Sequence, residues 1–411
     1  MFRRFRLIAL ALPVLAGCFT SETLNSPDLS NNNRLFTRFV SIGTSISAGL
    51  QSAGINDSTQ QRSFQVLVAQ QAGASFSWPG LNKPGCPAPF TNNVTQARVG
   101  GPTAPPCSLR QTPIPHNLGN LAVPGLTTPD LFTNEGSPTS TYERLQTFIL
   151  GGQTPWNAVK AAQPTLLSIE IGSADVIGAV ASLPNPGDPD SITTIGVFTA
   201  NYVRFADSVG ALGTRVVVLT IPDVTQIAYT SRGSTYWCLK NGCPGVPVSF
   251  PPTFTVDNNC ASPLTGIPGA NGDSVLVPWT IGVAGLLRAS SAPFTPFNLD
   301  CSNTLQVVTP AEYKYIRTTT DQMNQLIRAQ ATTRGWALVE AGSIFAQLQV
   351  QDGGVPAFPG LGAVPTGGSI NFGNWFSLDG FHPSSATHRV VADSVIAVVN
   401  RTFGTQIPAL P

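Results

Sequence analysis

A chain of 411 residues is long enough to bury a sizeable core, as one elaborated domain or as two. Only 10% of the residues are charged and the formal net charge is +1, with no basic run and no acidic tail, which argues against nucleic acid as a partner. The 39 glycines and 36 prolines imply long ordered loops on a regular frame.

The N-terminus speaks to compartment. Arg3, Arg4 and Arg6 precede Leu7 to Leu15, an apolar run too short to span a bilayer. This is the charged and apolar pattern of a secretory signal. It ends in Leu15-Ala16-Gly17-Cys18, which resembles the bacterial lipobox. The resemblance implies cleavage before Cys18, lipid on that cysteine, and an exported protein held at a membrane, the outer membrane or cell surface where the source has two. Residues 1–17 are then the signal peptide. Residues 18–35, polar and without periodicity, follow as the lipidated cysteine and a flexible tether. Six cysteines remain, and an even number in an exported chain reads as three disulfides. Six cysteines allow fifteen pairings; nearest neighbours give Cys86–Cys107, Cys238–Cys243 and Cys260–Cys301. No CxxC pair or histidine cluster points to a metal, and no cofactor is expected.

The folded domain is expected over 36–404. Phe39 to Ile42 reads as a buried strand ending at Gly43. The spacing of Phe64, Leu67 and Val68 predicts a helix over 62–73. Residues 76–117 are rich in Pro and Gly and form a cysteine-stapled insertion. Asn117 to Val123 reads as a second strand, and Tyr142, Leu145 and Ile149 mark a helical segment. Thr165 to Ile171 is a third strand, 195–212 a helix, and Arg215 to Ile221 a fourth strand. Residues 225–308 break the rhythm and read as a second insertion with little regular structure. Thr309-Pro310-Ala311-Glu312 then gives a helix start, with Thr as cap, Pro first, and Glu three on. Trp336 to Glu340 is the fifth strand, 343–375 a third insertion, and 385–402 a closing helix with Val391, Val395, Val398 and Val399 inward. Apolar strands alternating with helices predict a five-stranded parallel sheet in a three-layer α/β/α fold.

In open parallel sheets, ligands bind beyond the carboxyl ends of the strands. Those ends deliver Gly43-Thr44-Ser45, Val123-Pro124-Gly125, Gly172-Ser173-Ala174-Asp175, Pro222-Asp223 and, after a loop, Asp379 and His382. A serine on a strand-to-helix turn, a glycine amide and an Asp-His pair are the components of acyl transfer. The other histidines are discounted: His116 as a surface residue, His388 as a neutral structural one.

These blocks resemble the SGNH (GDSL-type) hydrolases, whose fold is flavodoxin-like, with the cysteine-containing insertions outside the resemblance. The family's Gly-Asp-Ser is matched by Gly43-Thr44-Ser45, its second-block glycine by Gly125, and its Asp-x-x-His by Asp379 and His382. The resemblance implies Ser45 as nucleophile, His382 as base, Asp379 as its orienting acid, and the N–H groups of Ser45 and Gly125 as oxyanion donors. It implies a serine esterase or lipase-like enzyme acting on carboxylic esters through an acyl-enzyme. The family's third block is Gly-x-Asn-Asp, and here Ala174 stands where the Asn donor would be; Ser173 is the candidate replacement. That departure keeps two alternatives open: an inactive binding lipoprotein on the same frame, and a carbohydrate O-deacetylase or acyltransferase using the same residues.

Overall fold

The computed structural model describes residues 34–101, 107, 118–134, 141–182, 185–242, 250–351 and 353–411. The signal peptide, Cys18 and most of the tether lie outside these residues, as do Asn117, His116 and Cys243.

Four parallel strands make the centre: β1 (Phe39–Gly43), β2 (Leu166–Glu170), β3 (Arg215–Leu219) and β4 (Ala337–Val339), paired in that order. Every residue of β1 and β2 is buried, so both faces of the sheet are covered, which is why these strands read as unbroken apolar runs. The expected second strand is reduced to a single bridge, Ser41 to Asn120, on the free edge of β1. The backbone of 119–123 still runs parallel to β1: Ser41 N donates to Gly119 O, Leu121 N to Ser41 O and Val123 N to Gly43 O. Regular pairing stops short because the Asn120 side chain takes over local bonds, with Oδ1 accepting from Ala122 N and from the Ser41 hydroxyl. Counting this edge, the strand order is that of a flavodoxin-like sheet.

The helices follow from caps and spacing. α1 (Ser45–Ala48) leaves β1 at once, and α2 (Phe64–Gln71) is capped by the Ser63 hydroxyl. α3 (Pro155–Ala162), capped by Thr154 with Pro at its first position, escaped the periodicity reading because it is only eight residues long. α4 (Ser173–Ala181) and α5 (Ile195–Gly210) lie between β2 and β3 in sequence. α6 (Pro310–Arg334) begins with the expected capping box of Thr309 and Glu312 and buries Ile316, Met323 and Ile327. α7 (Ala341–Val350) occupies the start of what reads in sequence as loop. α8 (Ser385–Phe403) turns Val391, Val395, Val398 and Val399 inward. α8 packs on α2 and α6 on α5, while α6 and α8 both touch β4.

The insertions are more regular than their composition predicts. The second holds helices over Gly233–Asn241 and Gly282–Ser290 and two small sheets, Thr230–Arg232 with Leu276–Pro278 and Phe254–Val256 with Phe297–Leu299. Its Tyr236, Phe254 and Val283 join the same buried cluster as the central sheet. Short elements of three to nine residues carry too few turns for a period to show. Disulfides join Cys86 to Cys107 and Cys260 to Cys301, as nearest-neighbour pairing predicts. Cys238 is also disulfide-bonded.

Candidate active site

The turn that carries Ser45 is built on close approach. A Cβ on Gly43 would lie 2.4 Å from the Ser47 hydroxyl and 2.9 Å from the Glu170 carbonyl oxygen, so only glycine lets β1 pass straight into α1. Thr44 is the extended N-cap residue and Ser45 the first residue of α1, half-buried at the rim. Beneath them sits the Glu170 carboxylate, at the end of β2. It accepts from Thr44 N and from the Thr44 hydroxyl, each at 3.0 Å, from Ser47 N at 3.3 Å, and from the Ser173 hydroxyl at 2.7 Å. Burial raises the Glu170 carboxyl above its ordinary pKa, against the lowering effect of those four donors. Sequence reading passed over Glu170 as a strand residue; the signal was a carboxylate in an otherwise apolar buried run.

The imidazole arrives from the other end of the chain. Asp379 Oδ2 lies 2.8 Å from His382 Nδ1, while Asp379 Oδ1 accepts from His382 N at 2.8 Å and Phe381 N at 3.0 Å. Burial works to raise the Asp379 carboxyl, but the adjacent His382 charge and these hydrogen bonds outweigh it and hold the group below the usual carboxylate range. The carboxylate is therefore ionised and accepts from Nδ1–H, which leaves Nε2 as the basic nitrogen.

A short turn after α1 ties the two ends together. Ala53 N donates to Asp379 Oδ2 at 2.5 Å, Ser52 N to the Ser377 hydroxyl at 2.7 Å, and Leu378 N to the Ser52 hydroxyl at 3.2 Å. Ser52 and Ala53 adopt φ of 56° and 50°, the left-handed region that non-glycine residues avoid at a cost of order 1 kcal/mol or more each. The strain is offset by bonds that place the acid. No sequence signal marked these two residues, since neither type favours that conformation.

Ser45, Gly125 and His382 line one cleft of about 250 Å³, together with Ser173 and Ala174 at the start of α4 and the apolar side chains of Ile46, Leu50 and Phe381. The cleft lies over the carboxyl ends of β1 and β2, where the strand order reverses. No hydrogen bond joins the Ser45 hydroxyl to the His382 ring among the described residues. The N–H groups of Ser45 and Gly125 likewise have no acceptor among those residues, so both are free to donate. Ala174 brings no polar group, and the Ser173 hydroxyl is committed to Glu170. Asp175, which in sequence reads as favouring the positive end of α4, is instead buried and accepts from the Thr128 amide and hydroxyl. Burial pushes its carboxyl up to about 6, against those bonds. Asp223 turns away, accepting from Thr225 and Gln226.

No protein-family model matches the chain, and no curated protein matches it in sequence. Among solved structures it is similar to an alpha/beta hydrolase enzyme from the metagenome of Lake Arreo, Spain, at 14% identity and TM-score 0.37, over 89% of this chain and 98% of that one. It is also similar to a GDSL-like lipase protein from Parabacteroides merdae, at 12% identity and TM-score 0.34, over 89% and 96%. A third is a variant of an acetyl-xylooligosaccharide esterase from Geobacillus, at 11% identity and TM-score 0.38, over 91% and 96%. At these values the likenesses carry no functional argument, which rests on the site itself.

Proposed function

We propose that this chain is a serine-dependent carboxylic ester hydrolase of the SGNH (GDSL) type. The observation that supports it most is the buried Asp379–His382 pair, 2.8 Å apart, facing the same cleft as the half-buried Ser45. In this reading Ser45 Oγ attacks the ester carbonyl carbon as His382 Nε2 takes its proton. Asp379 fixes the imidazole tautomer and stabilises the imidazolium. The oxyanion is met by the Ser45 and Gly125 amides. The alcohol leaves with the proton from His382, and water then attacks the acyl-enzyme with His382 again as base, releasing the acid and restoring the Ser45 hydroxyl. With Ala174 in place of a side-chain donor, turnover is expected to lie on the order of 10²–10³ below that of a site with a full set of donors.

The test is covalent labelling with a fluorophosphonate probe alongside hydrolysis of a chromogenic short-chain ester. Ser45 should carry the label, and Ser45→Ala should lose both label and turnover with an unchanged circular dichroism spectrum. Label on another residue, or turnover that survives Ser45→Ala, rejects the reading.

We extend the proposal to location: the mature chain begins at Cys18, carries lipid there, and sits at a membrane surface. Among the described residues no helix is long and apolar enough to cross a membrane. In a bacterial host, Cys18→Ser should move the protein from the membrane pellet to the soluble exported fraction. Retention in the pellet would count against lipid anchoring.

A further inference from the structure

Next to the reactive cleft lies a second, inner chamber of about 80 Å³, under α7 and α8. The two share one wall, made by Ile46, Pro222, Ile227 and Phe381. Beyond that wall its lining includes Ile344, Phe345 and Leu348 of α7 and Phe376. Three polar residues reach it, and each is already satisfied. Glu170 accepts from Thr44, Ser47 and Ser173; Thr220 donates to Glu340 and accepts from Ala341 N; the Thr387 hydroxyl donates to the Trp375 carbonyl. A water or a sugar hydroxyl placed there finds no free side-chain donor among them, whereas an alkyl chain needs none. The outer cleft, too, has no Asp, Glu, Lys or Arg in its lining.

Resting on the ester-hydrolase reading, we propose that the inner chamber is the acyl pocket, and that the enzyme takes esters of uncharged, unbranched acids longer than acetic acid. The acyl chain runs from the Ser45 carbon past Phe381 and Ile227 and ends against Leu348. The chamber's volume of about 80 Å³ limits the length it can hold, so long-chain esters are poor substrates. Acids bearing a negative charge along the chain are excluded, because the inner chamber has no cationic side chain in its lining and already holds Glu170. Each methylene that enters raises kcat/KM by about three- to fourfold, so the two extra methylenes of butyryl put it ahead of acetyl by on the order of tenfold.

The experiment measures kcat/KM for p-nitrophenyl acetate, butyrate, octanoate and palmitate. Wild type should prefer butyrate to acetate by about tenfold and turn over palmitate least. Leu348→Trp, which fills the chamber, should cut the butyrate-to-acetate ratio by about tenfold. Leu348→Ala, which deepens it, should raise the octanoate-to-butyrate ratio. A ratio taken within one sample does not depend on how much of a variant is folded. Equal rates on acetate and butyrate, or ratios that neither variant moves, would overturn the acyl-pocket assignment while leaving the ester-hydrolase reading intact. Absence of turnover on all four esters, or turnover independent of Ser45, would overturn that reading itself and this proposal with it.

Discussion

Thr44 stands where Gly-Asp-Ser motifs carry an acid, and its surroundings explain why a hydroxyl serves there. Its side chain donates to Glu170, a buried carboxyl already raised by desolvation. A second carboxylate at that position would face the first at hydrogen-bond distance, and two like charges so placed cannot both stay ionised cheaply. What the turn needs from Glu170 is therefore acceptor oxygen and not negative charge. Glu170→Gln keeps an acceptor for the two backbone amides, and the hydroxyls of Thr44 and Ser173 can rotate to suit the new amide. It should change stability by less than about 1 kcal/mol. Glu170→Leu leaves Thr44 N its bond to the backbone carbonyl of residue 170 but strands Ser47 N and the hydroxyls of Thr44 and Ser173. At about 1–3 kcal/mol for each buried group left unpaired, the loss should reach about 3 kcal/mol or more. Urea denaturation of both variants checks this; equal losses would mean that the charge matters after all.

Two helices distant in sequence, α2 and α8, are joined through His388. Its ring is fully buried, stacks near Phe64, and accepts from Phe64 N at Nδ1, 3.3 Å away, while Nε2 has no hydrogen-bond partner among the described residues. Burial, with a smaller contribution from His382, pushes its pKa down from 6.5 to about 3. The unfolded chain thus takes up a proton near pH 6.5 that the folded chain refuses until about pH 3. Stability contributed by this helix pair is full above pH 6.5 and declines as the pH falls through that window, on the order of a few kcal/mol in all. Asp175 runs the other way: its raised pKa costs stability as the pH rises through about 6. The wild-type profile mixes the two, but the difference from His388→Asn isolates the first. Asn keeps an acceptor for Phe64 N and does not titrate. The variant should be somewhat weaker at pH 7 and lose less than wild type between pH 6.5 and 4.5. Parallel profiles would show that His388 is not the group involved. Sequence alone made His388 neutral and structural, because a cation near a helix start opposes the dipole. It did not reveal the contact with Phe64, 324 residues away. The same limit runs through the elements. Strands buried on both faces and helices with long periods or full capping boxes were legible. The edge segment at 119–123, α3 and α7 were not, since side-chain competition or brevity erased their pattern. In the site, the blocks carrying Ser45, Gly125, Asp379 and His382 were legible by type and spacing. Glu170 and the strained Ser52–Ala53 turn were not, because their roles exist only once distant segments meet.

At the scale of the whole molecule, the second insertion packs as a buttress against the loop that carries Asp379 and His382. Tyr229 packs edge-on against Phe381, and the Trp279 indole donates to the Asp379 carbonyl at 3.3 Å. Both aromatic residues flank the small sheet that opens the insertion, and Cys260–Cys301 closes the far side of the same segment. The two described disulfides differ in access. Cys260 and Cys301 are fully buried, whereas Cys107 is exposed. Exchange requires a thiolate to reach a sulfur, so native-state reductant should open Cys86–Cys107 first and leave Cys260–Cys301 until the chain unfolds. Iodoacetamide trapping over time, read by peptide mass spectrometry, gives the order; early alkylation of Cys260 would contradict it. Loop-closure entropy for a separation of 41 residues puts the loss from replacing both Cys260 and Cys301 with Ala at about 4 kcal/mol. Because the loosened segment carries the contacts that hold Phe381 and Asp379, ester turnover should fall in that double variant at temperatures where it is still folded. Replacing Cys86 and Cys107 loosens a segment that reaches the same loop through Phe90 N on the Ser52 carbonyl and the Asn93 amide on the Leu378 carbonyl, and with the smaller closed loop turnover there should fall less. If the two double variants lose activity alike, the buttress has no special role, and the disulfides act only on global stability.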